Sequence, residues 1–310
     1  MWELGKVSST FEKLSGARMH LEQAVEWNGS KWLVGSTFNK KYEYPLNLSD
    51  LMRWYPLVAK FLVREAQKRG IERIDTMAVS VPVEDYYEDT ITGRKLITQL
   101  MRSIQEETAI VDIKVLPQGI ISLYEIYNQG ALKPDTTLVI DGGFYTINVC
   151  IADKYGSILY AKSYYNELGI RDLLENYLLP EVKVRYPEMP KDLQYLKNIF
   201  LTSQIDTGFK TIDITEEKRN ALNSYIEALF QRLTKDIERE RKHFNQFAVI
   251  GGLAYYIPEI ETNKPYFIPK ENKEFYTVLG MHNYPEIADI PNRISVDFGF
   301  GDIKFIISGE

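Results

Sequence analysis

Apolar residues follow strand-like and helix-like spacings along most of this chain. Continuous apolar runs at 76–82 and 113–117 predict buried strands. Apolar residues with helical spacing predict helices at about 49–69, 95–108 and 118–128. Strands that alternate with helices in this way are typical of an α/β fold.

The middle of the chain predicts a three-strand antiparallel meander. Its strands lie at 137–143, 145–152 and 157–164, with glycine-containing turns between them, and a helix follows at 168–178. A proline-interrupted region at about 180–213, with a helix at 190–200, predicts an inserted lobe. A long amphipathic helix at about 215–243 comes next.

The last third of the chain predicts two further glycine turns next to strands. A strand at 247–250 leads into Gly251-Gly252, and a helix is predicted at 274–280. The segment 295–307 has two apolar strands around a glycine turn, which predicts a closing hairpin. Near the start, short strands around Asn28-Gly29 predict another hairpin.

Composition narrows the class of protein. With 310 residues the chain exceeds one ordinary core, so two domains are expected. A net charge of −6 argues against direct nucleic-acid binding. One cysteine, Cys150, fits a reducing compartment, and the histidines lack metal-ligand spacing. No signal peptide or membrane span is predicted, so we expect a cytoplasmic protein.

The closing hairpin carries the residues best suited to bind phosphate. Asp297-x-Gly299-x-Gly301-x-x-Lys304 combines a turn whose backbone N–H groups can meet phosphate oxygens with one cation. Asp297 ends an apolar strand, where a carboxylate can hold the waters around Mg²⁺. The alternative is an ordinary hairpin with a surface Asp and Lys.

Three other positions suit a nucleotide. Asp141-Gly142-Gly143, with Thr146, forms a second glycine turn, and Gly251-Gly252, between a strand and a helical segment, would let a nucleotide base or ribose approach the backbone. Gln118 follows a strand and begins a helix, where its amide can orient an attacking water. Each of these, taken alone, is equally compatible with a plain turn or helix start.

The order of these elements resembles the actin-like ATPase superfamily over nearly the whole chain. The segment 118–130 is similar to the connecting helix of actins, and 168–174 to their Gly-Arg-Asp-Leu helix. The segment 297–304 resembles the first phosphate loop of ParM-like and archaeal actin-like proteins.

This resemblance implies two RNase H-like α/β domains with ATP (or GTP) and Mg²⁺ in the cleft between them. Domain I would comprise 1–117 plus 280–310, and domain II 118–279. Asp297 and Asp141 would hold Mg²⁺ through water, and Gln118 and Asp141 would serve catalysis. The other nucleotide-binding residues implied are Gly299, Phe300, Gly301, Asp302, Lys304, Gly142, Gly143, Thr146, Gly251, Gly252 and Leu253.

The chain departs from the family pattern in three ways. The first phosphate loop stands at the C-terminal end rather than near the N-terminus, so the chain resembles a circular permutant. The expected break is in the turn of the first hairpin, with the second strand at 6–13. Asn148 stands where many relatives have an acidic residue. The lobe is too divergent to assign adenine contacts, although Lys235 and Glu238 are candidates.

The resemblance favours an ATPase that polymerises with copies of itself, of the cytoskeletal or plasmid-segregation type. An adaptor linking it to DNA is a possible partner. Two alternatives remain: a small-molecule kinase of the same superfamily, and a nucleotide-binding scaffold that forms no filaments. No catalytic carboxylate beside a substrate pocket is evident in the sequence, which disfavours the kinase.

Overall fold

A computed structural model of the chain describes residues 2–14, 23–35, 43, 45, 48–87, 91–257, 260 and 262–309. The strands of these residues are β1 (Trp2–Ser8), β2 (Phe11–Lys13), β3 (Val25–Trp27), β4 (Ser30–Val34), β5 (Thr76–Val81), β6 (Asp112–Pro117), β7 (Thr137–Gly142), β8 (Thr146–Ala152), β9 (Ile158–Tyr165), β10 (Gln204–Asp206), β11 (Thr211–Asp213), β12 (Gln246–Ile250), β13 (Tyr266–Phe267), β14 (Arg293–Phe298) and β15 (Asp302–Ser308).

The helices are α1 (Leu48–Lys68), α2 (Val83–Tyr87), α3 (Ile91–Thr108), α4 (Ile120–Asn128), α5 (Ile170–Asp172), α6 (Leu179–Arg185), α7 (Leu193–Thr202), α8 (Thr215–Arg239), α9 (Tyr276–His282) and α10 (Pro285–Ala288). A π-helical stretch, Leu173–Leu178, joins α5 to α6. Short 3₁₀ turns lie at Gly252–Tyr255 and Lys273–Phe275. The mixed α/β class predicted from the sequence is confirmed.

Sheet I has the order β1-β15-β14-β5-β6. Strand β15 is antiparallel to β1 and β14, whereas β14, β5 and β6 run parallel. Strand β14 is therefore the middle strand, with Ile294, Val296 and Phe298 packed against α1. The closing segment of the chain thus fills the centre of a sheet whose other strands come from residues 2–117.

One expectation about sheet I is wrong. The first hairpin, β14–β15, is intact, with Asp297 opposite Lys304, so no break falls in its turn. Instead the two ends of the chain adjoin between β15 and β1, where Ser308 lies opposite Trp2. The predicted strand at 6–13 is divided, because β1 pairs with β15 whereas β2 pairs with β4 in a separate small sheet, β2-β4-β3.

Sheet II has the order β13-β12-β7-β8-β9 and contains the predicted meander β7–β9. Strands β12 and β13 continue it in parallel with β7. Both sheets therefore have three antiparallel strands followed by two parallel ones. By their places in the sheets, β7, β8, β9, β12 and β13 of sheet II correspond to β14, β15, β1, β5 and β6 of sheet I. The first series is in chain order, whereas the second begins with the last two strands of the chain.

Helices α4 and α9 cross each other and pack on different sheets. Leu123 and Ile126 of α4 join the core beneath sheet II, and Val278 and Met281 of α9 pack with residues of sheet I. Gly280 allows the crossing, because a Cβ there would overlap the backbone carbonyl of Ile121. The two helices thus hold the sheets in contact.

The predicted lobe consists of α6, α7 and the hairpin β10–β11. Asp192 caps α7, since its carboxylate accepts the N–H of Tyr195 at 2.7 Å. The chain then returns to sheet II through α8, whose Tyr225 and Leu229 are buried in that core. Across the described part of the chain, no helix combines the length and apolarity needed to cross a bilayer.

Candidate functional site

The turns of the two hairpins meet at the contact between the sheets. The turn between β14 and β15 contains Gly299, Phe300 and Gly301, and a Cβ at Gly301 would lie 3.2 Å from the Cβ of Phe144 in the β7–β8 turn. The rings of Phe300 and Tyr145 also approach edge to face, with centroids 6.3 Å apart. The structure thus brings together the two glycine turns predicted to bind phosphate.

The β14–β15 turn is held rigidly and keeps backbone donors available. The Gly299 N–H donates to the Asp302 carbonyl at 3.0 Å, and Ser9 donates from its hydroxyl to the Gly299 carbonyl and from its N–H to the Gly301 carbonyl. Among the described residues, no acceptor faces the N–H groups of Phe300 and Gly301. Adjacent unpaired N–H groups in a fixed turn form a concavity suited to an anion.

Asp297 is the most heavily hydrogen-bonded carboxylate of the site. It ends β14 with 5% of its surface exposed. One oxygen, Oδ1, accepts the Ser80 hydroxyl at 2.6 Å and the Gln118 Nε2 at 2.8 Å, while Oδ2 accepts the Lys304 Nζ at 3.1 Å. Burial lowers the pKa of Lys304, but attraction to Asp297 and Asp302 outweighs it, so the net pKa is raised. Lys304 therefore carries a fixed positive charge at the turn.

Gln118 joins the two sheets through a chain of side chains. Its Nε2 donates to Asp297 of sheet I, and its Oε1 accepts the Asn148 Nδ2 of sheet II at 2.7 Å. The Asn148 Oδ1 in turn accepts the Ser163 hydroxyl at 2.7 Å. We call Asp297–Gln118–Asn148–Ser163 the amide relay.

The direction of the amide relay is set by Asp297. A carboxylate can only accept hydrogen bonds, so Gln118 must turn its NH₂ group toward it and its oxygen toward Asn148. Asn148 must then donate to Gln118, and Ser163 must donate to Asn148. Gln118 is also fixed at its backbone, whose N–H donates to the Val81 carbonyl at 2.9 Å.

Asp141 lies on the sheet II side with a different environment. Its Oδ2 accepts the Thr277 hydroxyl at 3.1 Å. Burial, followed by repulsion from Asp297, raises the pKa of Asp141 to about 6 even though Lys304 and Thr277 lower it. Two carboxylates that lie close enough for one to raise the pKa of the other are the arrangement expected of a cation-binding pair.

Gly251 closes the site beside Asp141. Its φ is +78°, and a Cβ would lie 2.5 Å from the Asp141 Oδ1 and 2.6 Å from the Gly142 carbonyl. Only glycine fits both the conformation and the space. The Leu253 side chain is buried against Gly142, so of the predicted residues here Leu253 offers only its backbone to a ligand.

The remaining predicted residues fall into two groups. Gly143 and Thr146 form the β7–β8 turn, where the Gly143 N–H donates to the Thr146 carbonyl at 2.7 Å, and Asp302 pairs with Lys6 at 3.3 Å. Lys235 and Glu238 are exposed on α8, away from the hydrogen bonds and ion pairs described above.

Several residues of the site escaped sequence analysis. Ser80 had a usable signal, since it is a polar residue inside a fully buried strand. Ser9, Ser163, Thr277 and Lys6 had none, because each reaches the site from an element whose position depends on the fold. Lys6 also pairs with Glu274 at 3.3 Å, which links β1 to the 3₁₀ turn next to Gly251.

The side chains do not form a metal cage of their own. Within the described ranges, no group of three or more His, Cys, Asp or Glu side chains is placed to hold a metal ion. A cation bound between Asp141 and Asp297 would therefore need water or ligand oxygens to complete its coordination.

Solved structures with the same architecture identify the fold. An archaeal actin homologue, Ta0583, superposes with a TM-score of 0.68 at 14% identity, over 92% of this chain and 99% of its own. A ParM from a 15-stranded filament of Clostridium botulinum gives 0.57 at 15% identity, over 88% and 90%. MreB5 of Spiroplasma citri bound to ADP gives 0.56 at 13% identity, over 84% and 86%.

No family model matches the sequence, and no match to a curated protein was found either. The chain therefore has the fold of actin-like ATPases, as the sequence predicted, with a sequence far from those of the structures that share it.

Proposed function

We propose that this protein is an actin-like ATPase that binds ATP (or GTP) with Mg²⁺ between the two glycine turns and assembles into filaments. The observation that carries the proposal is the convergence of Asp297, Lys304 and Gln118 with Asp141 at the contact between two sheets. These residues come from distant parts of the chain, so their meeting is a property of the fold. The fold itself is that of ParM and MreB structures, one of them bound to ADP.

The residues of the site fit a magnesium-bound nucleotide. The unpaired N–H groups of Phe300 and Gly301 and the Lys304 ammonium suit phosphate oxygens. Asp141 and Asp297 supply two carboxylates for a hydrated cation. Gly251 and Gly252 allow close approach of an adenosine to the backbone of sheet II. When bound, the nucleotide supplies the phosphoanhydride bond that is hydrolysed.

Hydrolysis in this scheme depends on positioning and on charge. Lys304 and the turn N–H groups hold the phosphate oxygens and balance their charge. Gln118 orients the attacking water. Its Nε2 already donates to Asp297 and Ser80, so the second lone pair of Oε1, beside the hydrogen bond from Asn148, is the group left to accept a hydrogen bond from water.

The same proposal includes two domains and a circular permutation. Sheet I and sheet II would be the centres of domain I and domain II, with ATP in the cleft between them. In an unpermuted relative, the strand that corresponds to β15 would lead directly into the strand that corresponds to β1. The strand order of sheet I supports a permutation at that connection. A permutation at the tip of a surface hairpin is tolerated, because the ends lie close together there.

Replacing Asp141 or Gln118 tests the ATPase. Asp141→Ala and Gln118→Ala should still bind a fluorescent ATP analogue but hydrolyse ATP at least about a hundredfold more slowly. Asp153→Ala, in the turn between β8 and β9, and Gln231→Ala, exposed on α8, are matched controls. Wild-type turnover in both site variants would contradict the proposed roles.

Sedimentation with ATP, followed by electron microscopy of the pellet, tests assembly. Filaments that form with ATP and disappear on hydrolysis support the proposal. ATP binding without turnover or pelleting would instead identify a nucleotide-binding scaffold. An adaptor that links filaments to DNA would be a separate protein, to be sought by co-sedimentation.

A further inference from the structure

The tip of the hairpin β10–β11 presents an aromatic side chain to solvent. Phe209 is fully exposed at the tip. The turn is nonetheless well built: the Thr207 N–H donates to the Lys210 carbonyl at 3.1 Å, and Asp206 accepts the Gly208 N–H at 2.7 Å. A rigid turn that presents a large apolar side chain to water is a feature typical of a binding surface.

A cavity of about 830 Å³ opens at the edge of sheet II. It lies beside β13, the last strand of the sheet, and its wall includes Ile257, Tyr266, Phe267, Ile268 and Leu279. Lys270 and Glu271 stand exposed at its rim. The cavity combines these apolar residues with the edge strand β13, which among the described residues pairs only with β12, and such an edge is a receptive site for another chain.

We propose that Phe209 of one copy inserts into this cavity of a second copy. The cavity has room for the ring and for the residues beside it. Strand β13 can receive the hairpin backbone at its outer edge, and the exposed Asp206 and Lys210 of the hairpin can pair with Lys270 and Glu271 at the rim. The proposal rests on the filament-forming function proposed above and names its contact surfaces.

A contact of this kind propagates. The tip and the cavity are different surfaces, so each new copy that is bound through one of them still offers the other. Head-to-tail addition therefore continues into an open filament unless the geometry closes it into a ring.

Exposed positions allow the contact to be tested without disturbing the core. In Phe209→Asp the hairpin loses its apolar tip, and the concentration needed for assembly should rise by about tenfold or more. Tyr155→Asp is the matched control, because Tyr155 is also exposed (81%) at a hairpin turn, between β8 and β9. It should assemble as the wild type does.

Mixing two defective variants gives a sharper result. Ile268→Glu places a charge in the cavity wall and should also prevent assembly. A mixture of Phe209→Asp and Ile268→Glu should form dimers and no longer species, because one intact tip meets one intact cavity. Analytical ultracentrifugation of each variant and of the mixture measures this.

Crosslinking gives a readout that does not depend on a core substitution. The single natural cysteine, Cys150, is buried, so introduced cysteines react alone. Lys210→Cys combined with Lys270→Cys should give a ladder of oligomers with a short bismaleimide, whereas Lys154→Cys combined with Lys270→Cys should not.

The outcomes separate this contact from the ATPase. Equal assembly of Phe209→Asp and the wild type, the absence of a crosslinked ladder, or a wild type that stays monomeric with and without nucleotide would each overturn the contact. ATP binding is measured separately on the monomeric Phe209→Asp variant. If that variant and the wild type both fail to bind ATP while the ladder forms, the nucleotide proposal fails and the contact stands.

Discussion

Gln118 and Asp297 are 179 positions apart in the sequence and share a hydrogen bond of 2.8 Å. One follows strand β6 and begins the connection to α4, and the other ends β14. Their bond fixes the amide of the residue proposed to orient water, and it does so from the carboxylate proposed to hold a hydrated cation. Under the proposed function, cation binding and water positioning would therefore be coupled through a single contact.

The amide relay predicts the effect of an acidic residue at position 148. In Asn148→Asp the carboxylate cannot donate to the Gln118 Oε1, so Gln118 can satisfy only one of its two acidic neighbours with its NH₂ group. We expect a loss of about 1–3 kcal/mol in the free energy of unfolding, measured by urea denaturation. Ser157→Asp, in the turn between β8 and β9, is a control for added charge. An Asn148→Asp protein as stable as the wild type would show that the relay has no fixed direction.

Lys304 and Asp297 should behave as a coupled pair. Lys304→Met leaves the Asp297 carboxylate without its cation in a buried site, which we expect to cost about 3–5 kcal/mol. Adding Asp297→Asn removes the unpaired charge and should recover much of that loss. A double-mutant cycle of unfolding free energies measures the coupling, and simple additivity of the two changes would contradict it.

The two variants of that cycle also separate stability from ligand binding. Nucleotide binding should stay lost in the double variant, because Lys304→Met removes the cation proposed to meet phosphate. Restored binding together with restored stability would assign Lys304 a purely structural role.

Asp141 predicts a specific pH dependence for the ligand-free protein. Its folded-state pKa is raised to about 6 from an ordinary value of 3.8, so the folded state binds the proton more tightly than the unfolded state. The resulting destabilisation is absent below the ordinary pKa, grows as the pH rises toward 6 and is complete above it. Asp141→Asn should remove it and stabilise the protein by about 3 kcal/mol at pH 7.5.

Denaturant unfolding at several pH values between 4 and 7.5 measures this effect. The difference between Asp141→Asn and the wild type should be much smaller near pH 4 than at pH 7.5, because Asp141 of the folded wild type is then neutral. An equal difference at pH 4 and at pH 7.5 would mean that the substitution acts through packing. Nucleotide should stabilise both proteins, and Mg²⁺ should add less to that stabilisation in Asp141→Asn than in the wild type, because the variant lacks one of the two carboxylates proposed to hold the cation.

Gly280 predicts how tightly the sheets are held together. Gly280→Ala would place a methyl group against the Ile121 carbonyl, so α4 and α9 must separate. We expect a loss of about 1–3 kcal/mol in stability, and a change in nucleotide affinity because Thr277 on the same helix contacts Asp141. Ala288→Gly on α10 is a control for helix propensity. Unchanged stability and affinity in Gly280→Ala would contradict this role.

The segment that contains β14 and β15 should be essential to sheet I. Deleting residues 295–310 removes all of β15 and four of the six residues of β14, and it leaves β1 without its partner. We expect loss of cooperative unfolding of sheet I and of nucleotide binding, measured by circular dichroism and by fluorescence titration. Adding the deleted segment as a peptide is a control, and a deletion variant that still binds ATP would refute the assignment.

Sequence analysis predicted most of the elements because their signals are local. The apolar run predicted at 76–82 is β5, and the glycines Gly299 and Gly301 lie in the turn between β14 and β15. The meander predicted at 137–164 is also present. Gly251 also lies where the strand-to-turn signal placed it. Hydrophobic period and turn residues act within a few positions, so they can be read from one sequence.

The site was only partly predictable because its contacts are distant in sequence. Ser9 reaches Gly299 across 290 positions, and Thr277 reaches Asp141 across 136. No local pattern specifies such pairs. The break in sheet I was misplaced for the same reason. That β15 pairs with β1, and not with β2, is a long-range contact that no local pattern specifies.

The position of β14 and β15 in the chain also governs the order in which the molecule can be built. A ribosome completes all five strands of sheet II before it makes either of these two. Until then β1 has no partner in sheet I, and β5 has a partner, β6, on one side only. The apolar face of α1 also has no central strand to cover. Synthesis therefore passes through a stage in which every strand of sheet II has been made while sheet I lacks its middle strand and has open strand edges, which are sites of mispairing.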